Sequence, residues 1–285
     1  MVYLPRKTQE IWDSLREEGW NVSLIFHRFL NPQAKDVKSE VKPILERADL
    51  RSFQKLLDRR EELFSWLKDS PFCGIEWKQE LSKNMAIGLG NPSPLENGLT
   101  LDRVYGLPYI PASALKGITQ DYVLEYISPF NQLSPSQAKK DEKFIKVFGA
   151  QTPEKGEETP DFEAKRGTII FLDALPLISE NPFDLDITNP HYQKYYSSAG
   201  NTPPGDYLAP NPIQFLVVKK RTKFTFGLIS LGDSQDLVSE VKDWVSGALN
   251  TLGVGGKTRV GFGLFKKPFD IEVHCSHSSS AVSGR

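Results

Sequence analysis

The sequence predicts an α+β chain on a ferredoxin-like, split βαβ plan, the plan the RRM also uses. Three observations carry this. From residue 85 the hydrophobic pattern runs strand, helix, strand, strand, helix, strand. A glycine-rich loop follows the last helix, and a long insertion precedes the third strand. The division that follows is a helical N-terminal extension (1–80), a ferredoxin-like domain (81–275) and a flexible, low-complexity tail (276–285).

The elements are read in order. Thr8–Glu18 and 37–67 repeat apolar residues at threes and fours, as amphipathic helices do. Met85–Leu89 reads as the first strand. Pro111 suits the first turn of a helix whose stripe is Leu115, Ile118, Tyr122, Tyr126 and Ile127. Gly117 inside that helix costs about 1 kcal/mol against alanine. Close approach of another backbone or a ligand would explain it. Residues 134–148 are helical, 151–165 an acidic loop, and 167–175 a strand. Residues 176–212 show no regular period. Ile213–Val218 and Lys223–Ile229 read as a hairpin with a basic tip, Lys219-Lys220-Arg221-Thr222. Asp236–Leu249 is a helix, and Val260–Phe265 the last strand.

Composition narrows the function. Hydrophobic content of 39% and charged content of 25% fit a globular chain in water. The formal net charge of −1 means that any nucleic-acid site is a local patch. Cys73 and Cys275 match neither a metal spacing nor a disulfide framework, as expected in a reducing cytosol. No signal-peptide core opens the chain and no apolar run spans a membrane, so a cytoplasmic protein is expected.

Five glycines between Gly253 and Gly263 point to an unusual backbone. Such a loop can form an amide nest for an anion, with Lys257 and Arg259 beside it. A glycine turn that only reverses the chain fits equally well. A P-loop fails: its first glycine would be Thr251, and the loop follows a helix instead of preceding one. A standard RRM fails too, because Val260–Phe265 lacks the basic and aromatic ends of the RNP1 segment and lies in the wrong strand. Ser113 and Lys116 sit in the opening turn of a helix, where amides favour an anion.

Together, the glycine loop, the element order and Ile110-Pro111-Ala112-Ser113-Ala114-Leu115-Lys116-Gly117 resemble the RAMP superfamily of CRISPR effector proteins. The string Pro190-His191-Tyr192 through Tyr195-Tyr196, then Pro203-Pro204 and Asn211-Pro212-Ile213, is similar to the family of sixth subunits of Cmr (type III-B) complexes. The resemblance covers residues 85–265. It implies a non-catalytic subunit that holds the 3′ part of a guide crRNA among other RAMP subunits, meets target RNA indirectly, and needs no cofactor or metal. Carried over, Gly255, Gly256, Lys257 and Thr258 would contact RNA backbone, and Ser113 and Lys116 would face the same groove. Arg259, His191, Tyr192, Lys220 and Arg221 complete the expected RNA-binding set. The alternative is a metal-independent RAMP endoribonuclease that processes crRNA precursor, with His191 or His27 as general acid–base. A structural role for His191 is the default, because no group that orients it is visible. Asp173 lacks a second carboxylate at useful spacing for Mg²⁺.

Overall fold

A computed structural model of the chain describes residues 20–28, 41–42, 45–46, 48, 50–93, 97–150, 165–178, 180–189, 195, 197, 201, 203, 205, 212–232 and 234–275. The chain divides into two compact units: 1–50, 86–108 and 179–219 form the first, and 51–85, 109–178 and 220–285 the second.

The first unit holds helix α1 (Val22–Arg28) and the strand pair β4 (Phe183–Thr188) and β5 (Ile213–Val218). Asn21 caps α1: its Oδ1 accepts from the Leu24 amide at 2.9 Å, and its Nδ2 donates to the Arg103 and Val104 carbonyls. Asp102 closes its own turn by accepting from the amides of Val104 and Tyr105. Strands β4 and β5 pair antiparallel from Phe183↔Val218 to Thr188↔Ile213.

The second unit holds helices α2 (Leu50–Leu67), α3 (Ala112–Tyr122), α4 (Pro135–Ala138), α5 (Glu142–Phe148) and α6 (Gln235–Thr251). Its sheet contains β1 (Cys73–Glu80), β2 (Ile169–Phe171), β3 (Leu175–Leu177), β6 (Lys223–Ser230) and β7 (Phe269–Cys275). The order is β2-β6-β1-β7, with β3 also on β6, and every pairing is antiparallel.

Alternation along the strands sorts the two faces. Gly74, Gly227 and Ile229 meet Phe64 or Leu67 of α2. The alternate residues build an aromatic core. Trp77 stacks on Phe226 at 5.5 Å, and Phe265 meets Phe224 and Phe226 edge-on. Burying one such ring contributes about 1.5–3 kcal/mol. Helix α6 buries Leu237, Val241, Trp244, Val245, Ala248 and Leu249, the stripe expected from its period. The Tyr122 ring lies on Gly247, so α3 packs closely on α6. Beyond Tyr122 a π-helical turn, Val123–Ile127, rotates Tyr126 outward, where it is 46% exposed, against its expected place in the stripe.

Several expectations are corrected. Residues 213–218 and 223–230 are strands but not a hairpin. The tip amides bond elsewhere: Lys219 to the Pro182 carbonyl, Lys220 to Asn84 Oδ1, and Arg221 to the Leu81 carbonyl. The N-terminal part is not wholly helical, because Cys73–Glu80 is a strand paired on both edges. Met85–Leu89 is not a strand; Gly88 at φ +80° turns the backbone. Val260–Phe265 is not the last strand, because Gly261 (φ +94°) and Gly263 (φ +68°) are left-handed. Residues 176–212, expected without regular structure, contain β4 and part of β3. Cys73 and Cys275 oppose each other across β1 and β7 and form a disulfide, 202 residues apart in sequence.

Two predictions follow from this packing. His274 is buried against Phe64, and burial, then the charge of Lys68, holds its pKa below the ordinary 6.5. A depressed folded pKa means that its stabilising contribution is present above pH 6.5 and is lost as pH falls through the lower folded value. Melting curves should show less acid sensitivity below pH 6.5 in His274→Phe than in the parent; identical pH profiles would contradict this. At Gly263 a Cβ would collide with the Val254 carbonyl, and the φ is left-handed. Gly263→Ala should lose more than about 1 kcal/mol in urea denaturation.

Candidate nucleic-acid interface

The segment after β1 is the spine of the candidate site. Leu81 bonds both ways with the turn before β6: its amide donates to the Thr222 carbonyl, and its carbonyl accepts from the Arg221 amide. The Ser82 amide donates to the Leu264 carbonyl. Asn84 then holds both neighbours. Its Oδ1 accepts from the Lys220 amide at 2.9 Å, and its carbonyl accepts from the Gly263 amide at 2.9 Å. The basic turn and the glycine loop are therefore fastened to the same four residues.

The loop itself is tightly bonded at both ends. The Gly253 amide donates to the Ala248 carbonyl and closes the last turn of α6. Val254 donates to the Gly263 carbonyl, Val260 and Phe262 to that of Lys257, and Gly261 to that of Thr258. Within 255–259 the carbonyls of Lys257 and Thr258 accept these bonds, and Gly256 lies in an isolated β-bridge. Gly255 (φ +95°) and Lys257 (φ +59°) are left-handed, and Thr258–Val260 forms one 3-10 turn. Alternating backbone handedness of this kind is what an amide nest needs.

Cations surround this end of the sheet. Lys220, Arg221 and Arg259 are exposed, Lys257 is half-buried, and Arg221 is also left-handed. Lys83 lies over Gly261 and is exposed. Among the described residues no carboxylate pairs with Lys83, Lys220, Arg221 or Arg259, whereas Lys266 pairs with Glu80 at 2.6 Å. Sequence reasoning missed Lys83 and Asn84. No motif marks them, and only the β1–β6 register puts them between turn and loop.

Helix α3 is anchored at the break between β2 and β3, beside the middle of β6. Ile110 and Ala174 exchange both backbone bonds, and Leu175 and Leu177 oppose Thr225 and Lys223. At about 3.4 Å per residue, the start of α3 lies roughly 10 Å along the sheet from the start of β6. Ser113 is exposed and Lys116 half-buried. The opening amides are largely taken: Ala112 donates to Asp173 Oδ1 at 2.7 Å, and Ala114 and Leu115 donate to the Pro111 carbonyl. Any phosphate affinity here rests on Lys116 and Ser113 and not on a bare helix end. A Cβ at Gly117 would meet nothing within 4 Å, so no backbone among the described residues accounts for that glycine.

All the described candidate residues lie in the second unit. His191 and Tyr192 lie outside the described residues. His27 is engaged within α1, its Nδ1 2.8 Å from the Ser23 carbonyl. Asp173 caps a helix, and among the described residues no cluster of three metal-capable side chains occurs. No described helix is long and apolar enough to cross a membrane.

The chain is 35% identical over 229 residues to the CRISPR system Cmr subunit Cmr6 of Pyrococcus furiosus, covering 66% of each chain. It is 27% identical over 172 residues to the corresponding subunit of Saccharolobus solfataricus, covering 60% of this chain and 49% of that one. The chain thus spans just under two thirds of one of these relatives and half of the other. Its fold is similar to a chain in the cryo-EM structure of a type III-B Cmr-beta complex bound to cognate target RNA. The TM-score is 0.62 and the identity 23%, over 84% of this chain and 73% of that one. The RAMP superfamily model matches residues 80–266, which include the spine, the basic turn, the start of α3 and the whole glycine loop. The chain belongs to the RAMP superfamily.

Proposed function

We propose that the chain is a non-catalytic, RNA-binding subunit of a type III-B CRISPR (Cmr) effector in the cytoplasm. In this reading it holds the 3′ part of the guide crRNA beside other RAMP subunits and meets target RNA only through that guide. The observation that carries the reading is the basic end of the second unit. There Asn84 fastens the turn bearing Lys220 and Arg221 to the loop bearing Lys257 and Arg259. The likeness to Cmr6 subunits supports the assembly. The ferredoxin-like plan belongs to the same proposal: β1, α3, β2 with β3, β6, α6 and β7 follow the order of a split βαβ. The family domain then runs from β1 to β7.

Cations and amides of this kind bind phosphates and so position RNA without reading its bases. Catalysis would need an oriented base. The contact between His27 Nδ1 and the Ser23 carbonyl does not involve Nε2, so the endoribonuclease alternative keeps both His27 and His191.

Lys116→Ala with Lys257→Ala should weaken crRNA retention in filter binding. Each phosphate contact on a single strand contributes about 0.7 to the salt slope, so the double variant should lose roughly 1.4. Unchanged affinity would sink the reading. Metal-free cleavage of precursor RNA that disappears in His191→Ala would transfer it to the endoribonuclease.

Gly117→Ala separates folding from binding. In open space on a helix it should stabilise the free chain by about 0.5–1 kcal/mol. If RNA approaches that face, the same variant binds more weakly. Tighter or equal binding would remove Gly117 from the interface.

A further inference from the structure

Arg60 on α2 is a charge in the interior. It is 8% exposed, with its guanidinium 5.9 Å from the Phe64 ring centre. Nη1 donates to the Asp173 carbonyl at 2.6 Å, and Nε lies 3.8 Å from Glu76 Oε1. Glu76 also accepts from Thr225 Oγ1 at 2.7 Å. Gly227 leaves room for Nη2, where a Cβ would crowd it. Among the described residues Nε and Nη2 make no hydrogen bond.

This pair is a poor stabiliser. Burial is the largest cause of both shifts: it lowers the Arg60 pKa to about 10 and raises that of Glu76 above its ordinary 4.5. Burial disfavours the charged form of each group. A buried pair like this is often matched or bettered by apolar residues of the same volume. What it does accomplish is geometric. Asp173 sits in the break between β2 and β3, where its carbonyl is held by Arg60 and its carboxylate holds the Ala112 amide. The adjoining Ala174 exchanges backbone bonds with Ile110. An unbroken chain of contacts therefore runs from the core to the first turn of α3.

We infer that Arg60 is a positioning residue which, through Asp173, sets where α3 starts and so where Ser113 and Lys116 point. The inference deepens the RNA-binding reading and rests on it for its functional consequence. Its sign differs from that of a charge effect. The Asp173 carboxylate repels phosphate, so losing it by charge alone would tighten RNA, whereas losing its grip on Ala112 would loosen it.

The test uses the full chain with crRNA. Arg60→Met combined with Glu76→Gln should melt at or above the parent temperature. It should speed amide hydrogen exchange across residues 112–115 and weaken RNA binding roughly tenfold, the worth of one charge-assisted contact. Adding Lys116→Ala to it should cause little further loss, because both changes remove one contact. Asp173→Ala should reproduce the weaker binding, and Asp173→Asn, which keeps an acceptor for Ala112, should bind as well as the parent or better. A double variant that melts far below the parent makes Arg60 a structural residue and overturns the inference, as does unchanged exchange at 112–115. Equal or tighter RNA binding by Asp173→Ala overturns it as well. If Lys116→Ala alone leaves RNA binding untouched, the RNA reading fails, and the exchange measurement still decides the role of Arg60.

Discussion

Strand β1 is paired along its whole length with β6 and along most of it with β7, partners that lie about 150 and 200 residues downstream. The sheet of the second unit cannot close until those distant strands arrive, a costly loop closure that local contacts do not offset. The same pairing fixes the site. Because Glu80 opposes Lys223, the residues after β1 and before β6 emerge together, and Leu81 to Asn84 become the rail to which the basic turn is fastened. Gln79, fully buried, extends the tie: it accepts from Trp77 Nε1 and donates to the Lys266 carbonyl. The disulfide between Cys73 and Cys275 sits at the far end of the same strand pair.

Much of this plan was legible in the sequence. The stripe of α6 announced itself because its apolar residues keep helical spacing without interruption. The glycine loop was visible as composition. The start of α3 was visible from Pro111. What misled were positions where two periods compete. Ile75, Trp77 and Gln79 alternate with Glu76, Lys78 and Glu80, a strand pattern inside the stretch read as a helical extension. Val260 to Phe265 reads as a strand until two left-handed glycines are placed in it. The basic tip looked like a hairpin because two apolar runs flank four polar residues. Nothing local says that β5 pairs with β4 instead.

The candidate site shows the same division. Lys257, Arg259, Lys220 and Arg221 could be singled out because charge beside glycine is a local signal. Lys83 and Asn84 could not, since their importance comes from the β1–β6 register. Asp173 was weighed as a metal ligand. Its actual part, capping a helix about 60 residues away in sequence, depends on a strand break that no motif marks. Arg60 looked like one more charge on the solvated face of a helix, and only burial distinguishes it from its neighbours Arg59 and Glu61.

The glycine loop and the start of α3 are held by different means, and this decides how each responds to change. The glycine loop is fixed by backbone bonds and by left-handed φ values at Gly253, Gly255, Gly261 and Gly263. Exchanging its cations should therefore alter charge without moving the chain. The start of α3 has no cap of its own and borrows a carboxylate from the β2–β3 break, which in turn leans on a buried guanidinium. Its orientation is set by side chains in the core. A chain with a net charge near zero can hold a polyanion only if its few cations converge. Here the loop cations are placed by backbone glycine chemistry, and the start of α3 by a buried ionic contact in the core. The second is the one that distant substitutions can disturb.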